Sequence, residues 1–378
     1  MTTPAQPLAS TELGIDRGTC FALFAYDMAR SVNLDAAERR ISAITERSRI
    51  KRKRRAPAYF DYTPAPLRIS MEMDPLAIGA YRTGNVVDLL LYDFGAVSVS
   101  YNLPIQGPFN SLQALSHDLY ENALLLADSR RRVEELLTGL GDAAEWPHLA
   151  DFVEDYLIVQ IERTSPLLAP DSLLSGFGPP IAQLLRSEAQ VLGGEEVRDS
   201  IGQRVSFGPD DITIIDWNAA LIYGQDMEDV VAAMEFTNVE LLEMRFLDHQ
   251  LDLALDHAYA ASSKRRWGRP FLPETPRADV RHIARLQVDS AILFEQVTNT
   301  LKLFGDQYLA RVHRLIAHRF HLESWDASIS RKLHTLDNIY GKMTDSAATW
   351  RMELLEWIII VLIAISIAIS FLPGMAGH

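Results

Sequence analysis

A single cysteine, Cys20, occurs in the 378 residues. No intrachain disulfide can form, and a cysteine-based zinc site is excluded. A reducing compartment fits that usage. Neither a Gly-Lys-Ser/Thr phosphate loop nor a nucleophile elbow is present. Gly176-Phe-Gly178-Pro-Pro is too short and proline-bound to be a dinucleotide fingerprint. Positive charge is scarce. There are 36 Lys and Arg against 50 Asp and Glu, a net charge of −14, which excludes nucleic-acid binding by the whole surface. Met1 to Thr19 lacks a basic segment followed by an apolar core and holds Glu12 and Asp16, so it reads neither as a signal peptide nor as a mitochondrial transit peptide.

The cations that are present are concentrated. Nine Lys and Arg fall between Arg39 and Arg55 with one acid, Glu46, leaving 27 basic against 49 acidic residues elsewhere. The densest part is Arg47, Arg49, Lys51, Arg52, Lys53, Arg54 and Arg55. Three readings stay open for this anionic-partner patch: contact with RNA phosphates, as on a ribosome; contact with anionic lipid; or a solvated helix end. Aromatic residues rarely interleave with it, so base stacking is not indicated, and no DNA recognition is expected.

The first half of the chain mixes strand and helix signals. Cys20 to Tyr26 is an apolar run of buried-strand type. Leu34, Ala37, Ile41 and Ile44 form a helical stripe that runs into the basic segment. Leu67 to Met71 reads as a strand edge. Val86 to Tyr92 and Ala96 to Tyr101 flank Asp93-Phe94-Gly95, which predicts a hairpin. Phe152 to Ile161 reads as a strand, Pro180 opens a helix through Gln190, and Ile212 to Tyr223 is a strand or bent pair. No strict alternation of strands and helices is evident, so the class expected is α+β.

Beyond Gly224 the pattern changes. Asp226 to Ser263 contains neither Gly nor Pro, and a seam from Val230 through Met234, Leu241, Met244 and Leu251 to Ala258 keeps heptad spacing, with Thr237 and Asp248 as polar members. Further long helices are predicted over 279–320 and 326–351. They pair within the chain or form a coiled coil between chains. Trp357 to Leu372 then carries no charge over 16 residues. Its members Trp357, Ile358, Ile359, Ile360, Val361, Leu362, Ile363, Ile365, Ile367, Ile369, Phe371 and Leu372 are read as a membrane anchor. As a helix they reach only about 24 Å, short for a bilayer core of about 30 Å. Basic residues precede the run and none follows, which predicts a cytoplasmic bulk.

The domains expected are therefore a flexible 1–19, an α+β domain over 20–225, a long-helix hairpin or stalk over 226–352, a transmembrane helix over 353–373 and a tail over 374–378. Candidate chemistry is thin. Asp248, Asp252 and Asp256 share one helix face, which is a weak divalent-metal candidate; a solvated or salt-bridged face is the simpler reading. His313, His318 and His321 form a second weak cluster. Asp216-Trp217-Asn218 reads as a turn within a sheet.

Glu235 to Asp248, Phe320 to Trp325 and Arg351 to Ile360, with Val87 to Leu103 and Asp216 to Asn218, resemble the YagE family, also called required-for-meiotic-nuclear-division or domain of unknown function 155. The resemblance implies an α+β half, long helices and a C-terminal span, with no established activity and no cofactor. It also implies oligomers, membrane placement and, through eukaryotic relatives at the mitochondrial inner membrane, a link to translation. The expectation is a tail-anchored, homo-oligomeric scaffold, single-pass in a bacterial inner membrane with its bulk cytoplasmic, or in the mitochondrial inner membrane if eukaryotic. The alternative is a membrane-bound, metal-dependent hydrolase or nuclease using the acidic helix face.

Overall fold

A computed structural model describes residues 13–45, 50–55, 64–264, 288 and 307–370. The chain divides into two compact units, one of Met1–Phe246 with Leu293–Trp325, the other of Leu247–Ile292 with Asp326–His378.

The first unit is built on a nine-stranded sheet. Along the chain come β1 (Gly14–Asp27), β2 (Ser31–Val32), β3 (Ile50–Arg55), β4 (Leu67–Glu72), β5 (Ala77–Ile78), β6 (Tyr81–Arg82), β7 (Val86–Leu91), β8 (Ala96–Pro108), β9 (Ala144–Glu145), β10 (Glu154–Ser165), β11 (Arg204–Val205), β12 (Ile212–Ile215) and β13 (Ala219–Tyr223). The large sheet has the order β11-β12-β13-β10-β1-β8-β7-β4-β3, while β2 with β9 and β5 with β6 form small separate pairs. Among the described residues its pairings are antiparallel except for β10 with β13, which run parallel.

Side-chain alternation decides which element covers each face. Cys20, Ala22, Phe24 and Tyr26 of β1 point into a large apolar core. That core is closed by α1 (Leu34–Thr45), α2 (Ser111–Leu119), α3 (Ala123–Leu140) and α4 (Pro170–Arg186). Ala25 points the other way, and with Leu90, Tyr92 and Ala96 it packs on Phe236, Val239 and Leu242 of the long helix α6 (Glu228–Lys264), which follows the short α5 (Gly194–Ser200). Cys20 is fully enclosed, and desolvation pushes its thiol pKa far up, so it is a packing residue rather than a nucleophile.

Several local expectations are corrected. Leu67–Glu72 does not lie at the edge, because β3 pairs outside it. Lys51, Arg52, Lys53, Arg54 and Arg55 belong to that edge strand rather than to a helix end; their side chains, like Arg47 and Arg49, lie outside the described residues. The helix expected from Pro180 starts at Pro170, and Pro179 and Pro180 sit inside it next to a kink at Phe177. The missing proline N–H groups explain that break.

The second unit holds the later part of α6 and most of α8 (Leu322–Ser370), which follows α7 (Gln307–Arg319). Here the fold class changes from the one expected. The architecture is mixed α/β around a large sheet, without the expected C-terminal transmembrane helix: among the described residues no helix is long and apolar enough to cross a membrane. The physical reason is length. Trp357 to Ser370 gives 14 uncharged residues, about 21 Å of helix against a bilayer core of about 30 Å, and Arg351, Glu353 and Glu356 lie just before it. Trp357, Ile358, Ile359, Ile360, Val361, Leu362, Ile363 and Ile365 are exposed helix residues. Ile367 and Ile369 lie in the same helix, and Phe371 and Leu372 lie outside the described residues. Tail-anchored, single-pass placement in an inner membrane, bacterial or mitochondrial, is thereby overturned.

One hairpin constraint is testable. Gly95 closes the turn between β7 and β8 at φ +98°, where an added Cβ would stand 1.7 Å from the Ala29 carbonyl oxygen. Gly95→Ala should lower the unfolding free energy by about 2 kcal/mol or more, read as a reduced urea midpoint at unchanged m-value.

Candidate binding cleft

The polar architecture of the first unit begins at a turn. Asp216-Trp217-Asn218 joins β12 to β13, with Asp216 N–H donating to the Ala219 carbonyl (2.9 Å) and Trp217 N–H to Asp216 Oδ1 (2.7 Å). Tyr156 Oη donates to the Asp216 carbonyl (2.9 Å). The Asp216 carboxylate has no exposure, and a buried carboxylate needs charged partners. It finds two. Arg186 Nε donates to Oδ2 (3.0 Å) and Arg319 Nε to Oδ1 (2.8 Å). Asp199 bridges the same guanidinium groups at 2.6 and 2.9 Å, and Glu196 also meets Arg186. Hydrogen bonding from Arg319 leads the effects that hold the Asp199 carboxyl below its usual range. Burial opposes the charge on Arg186 and Arg319, but the facing carboxylates outweigh it and raise both pKa values. Every charge is engaged, so the cluster is a clamp fixing α4, α5 and the end of α7 to the β12–β13 turn. In the sequence only the turn is visible, since Arg186 and Arg319 lie 30 and 103 positions from Asp216.

At the opposite end of β10 and β13 from the clamp, past the C-terminal ends of these parallel strands, a cleft of about 830 Å³ opens. Crevices beyond the carboxyl ends of parallel strands are common ligand sites. Its wall includes Glu162, Asp210, Asp211, Asp226 and Asp229, with no Lys or Arg among the described lining residues. Glu162 pairs with Arg17 at 2.6 Å. Asp211 shapes the loop before β12 by accepting from the Phe207 and Gly208 N–H groups (2.8 and 2.6 Å). Gly224 has φ +151° and Asp226 φ +54°, so the chain turns sharply from β13 into α6. Phe207 and Leu167 are 72% and 77% exposed at the rim, and Phe207 meets Tyr308 of α7 edge-on at 5.2 Å. A smaller cavity of about 370 Å³ lies between the sheet and the first turns of α6 and shares Glu162, Asp226 and Met227 with the cleft.

Further polar groups sit later along the α6 contact. His148 Nε2 meets Asp27 Oδ1 at 2.7 Å and its ring stacks on Phe246 at 5.7 Å. The Asp27 hydrogen bond raises the His148 pKa, and burial raises that of Asp27. Burial, with Asp27 nearby, pushes Glu243 well above the usual carboxylate range. Glu154 is 6% exposed; desolvation, opposed by Arg245, pushes its carboxyl up to about 7.

The residues singled out from sequence do not converge. In the second unit Lys332 Nζ bridges Asp248 (2.8 Å) and Asp252 (2.6 Å), and Ser328 Oγ donates to Asp248 Oδ1 (3.1 Å). Asp256 is exposed. Among the described residues no group of three His, Cys, Asp or Glu could hold a metal ion. His313 is buried against Glu240 at 2.9 Å, whereas His318 and His321 are exposed. The cleft residues are not legible together because they are scattered from Glu162 to Leu309; the two local signals are the acidic Gly208-Pro-Asp-Asp211 and Gly224-Gln-Asp226.

Residues 17–229 match the family described as uncharacterized protein MJ0711, N-terminal domain. The chain is similar to the uncharacterized protein MJ0711 of Methanocaldococcus jannaschii, 21% identical over 222 residues, which is 58% of this chain and 66% of that protein, just under two thirds of its length. No solved structure matches. The YagE or required-for-meiotic-nuclear-division resemblance is overturned by this match. Three of its segments, Glu235–Asp248, Phe320–Trp325 and Arg351–Ile360, fall outside residues 17–229. Leu- and Asp-rich helical stretches recur wherever a helix buries one face.

Two outcomes test this geometry. Asp216→Ala should cost about 3–5 kcal/mol of stability by stranding two guanidinium groups, while Asp199→Ala, at a half-exposed carboxylate, should cost about 1 kcal/mol or less; urea unfolding of both variants reads the difference. Glu154 keeps its proton in the folded chain up to about pH 7 and loses it near 4.5 when unfolded. Its contribution to stability therefore falls as pH rises from 4.5 to 7. Glu154→Gln should flatten the pH profile of unfolding over that window by on the order of 1–3 kcal/mol.

Proposed function

The chain belongs to the family of the MJ0711 N-terminal domain, and on that premise we propose that it is a scaffold whose acidic cleft docks a basic segment of a partner protein. The observation that carries this reading is the cleft wall, with five carboxylates and, among the described residues, no Lys or Arg. Like charges gathered on one concave surface favour a cationic occupant. The exposed Phe207 and Leu167 at the rim add apolar anchors beside the charge, a combination suited to a polypeptide more than to a free ion.

The hydrolase alternative has less support. Its Asp248 and Asp252 carboxylates are already engaged by Lys332. A second copy of this chain has the required chemistry, since seven of the nine residues from Arg47 to Arg55 are basic. The scaffold reading and self-association are thus compatible.

A fluorescein-labelled peptide with the sequence of residues 47–55 is the probe. Fluorescence anisotropy should show saturable binding to the full chain, weakened by added salt. Asp210→Asn with Asp226→Asn should weaken it roughly threefold to tenfold, at about 0.2–1 kcal/mol per exposed charge pair. Asn tolerates the positive φ of residue 226, so the turn is kept. Equal affinity for the variant at low salt contradicts the proposal.

A further inference from the structure

From the smaller cavity we infer that this protein has a second binding site, for a basic α-amino acid, formed by the polar sheet face beneath the start of α6. The cavity of about 370 Å³ is of small-molecule size. Its floor is a run of polar side chains across five neighbouring strands: Gln160 of β10, Thr19 of β1, Asn102 and Ser100 of β8, Asp88 of β7 and Arg68 of β4. Register holds them side by side, with Thr19 opposite Gln160 and Asp88 opposite Ser100. Elsewhere on this face the sheet packs on α6 through apolar residues, Leu90 and Tyr92 against Phe236 and Val239. A polar stretch under a helix costs desolvation unless its groups find partners.

Two of these groups have no hydrogen-bond partner among the described residues. The Arg68 Nε–H and the Asn102 Oδ1 atoms are both buried and unsatisfied. Arg68 touches Asp88 only at 3.9 Å, through its Nη1. Buried unsatisfied groups are rare and point to a missing partner. Arg68 Nε–H requires an acceptor, which a carboxylate supplies. Asn102 Oδ1 requires a donor, which an ammonium supplies, and Glu235, 5% exposed, lines the same space with a carboxylate. The remaining charges favour a second cation. Glu162, Asp226 and Glu228 complete an acidic wall, and among the described residues Arg68 is the one basic lining residue. A molecule with one carboxylate and two cationic groups, of lysine or arginine type, matches this pattern.

The test is isothermal titration of the full chain with L-lysine and L-arginine, and with cadaverine, which keeps both amines but lacks the carboxylate. Saturable binding of an amino acid, at least tenfold weaker for cadaverine, is expected. Arg68→Gln and Asn102→Ser should each weaken amino-acid binding about tenfold, with circular dichroism melts showing that both variants fold. The cleft and cavity are separable: Asp210→Asn, which touches only the cleft, should leave lysine binding unchanged, and Arg68→Gln should leave binding of the 47–55 peptide unchanged. No saturable heat with lysine or arginine up to millimolar concentration means that water alone fills the cavity and overturns the site. Equal lysine affinity in wild type and in folded Arg68→Gln overturns it as well.

Discussion

A carboxylate with no solvent exposure, Asp216, holds two guanidinium groups, and much of the first unit's geometry follows from that demand. A buried anion is tolerable only when its oxygens are matched by charge and hydrogen bonds. Arg186 comes from the last turn of α4 and Arg319 from the last turn of α7. Satisfying Asp216 therefore requires both helices to end at the β12–β13 turn. The half-exposed Asp199 joins the two arginines from the solvent side. Phe320, directly after Arg319, packs edge-on against Tyr156 at 5.1 Å, so the polar clamp continues into apolar packing.

The consequence reaches the cleft. With α7 pinned at its C-terminal end, its first turn delivers Tyr308 and Leu309 to the cleft that Asp226 and Asp229 also line. The parallel pairing of β10 with β13 brings Glu162 and Gly224 to the same end of the sheet. Charge is then divided between two kinds of place. In the clamp, acids meet arginines and hold the fold together. In the cleft, Glu162 meets Arg17 and Asp211 holds its own loop, yet the described lining carries five carboxylates without a Lys or Arg, and that excess of one charge separates a binding surface from a structural cluster. The family likeness carries no activity with it, so the functional reading rests on this site geometry alone.

Elements whose information is local could be read from the residues. The Cys20–Tyr26 run is the middle of β1, the Asp93–Gly95 turn joins a true hairpin, and the Gly- and Pro-free stretch is α6. The basic run was harder. A strand of alternating Lys and Arg has no apolar period, and only pairing with β4 makes it extended. The clamp and both cavities were invisible because their members come from many elements and meet only through the sheet order. The anchor was misread for a different reason. Hydropathy at the end of α8 is high, but its uncharged length falls short of a bilayer, and length was the deciding quantity.

Hydrogen–deuterium exchange of the full chain, with and without the 47–55 peptide, shows whether the acidic cleft is the docking surface. Added protection is expected in the loop 206–211 and the β13–α6 turn 224–230, both of which line the cleft, with the amides of 248–256 unchanged. Protection confined to 248–256, or none anywhere at saturating peptide, would contradict it.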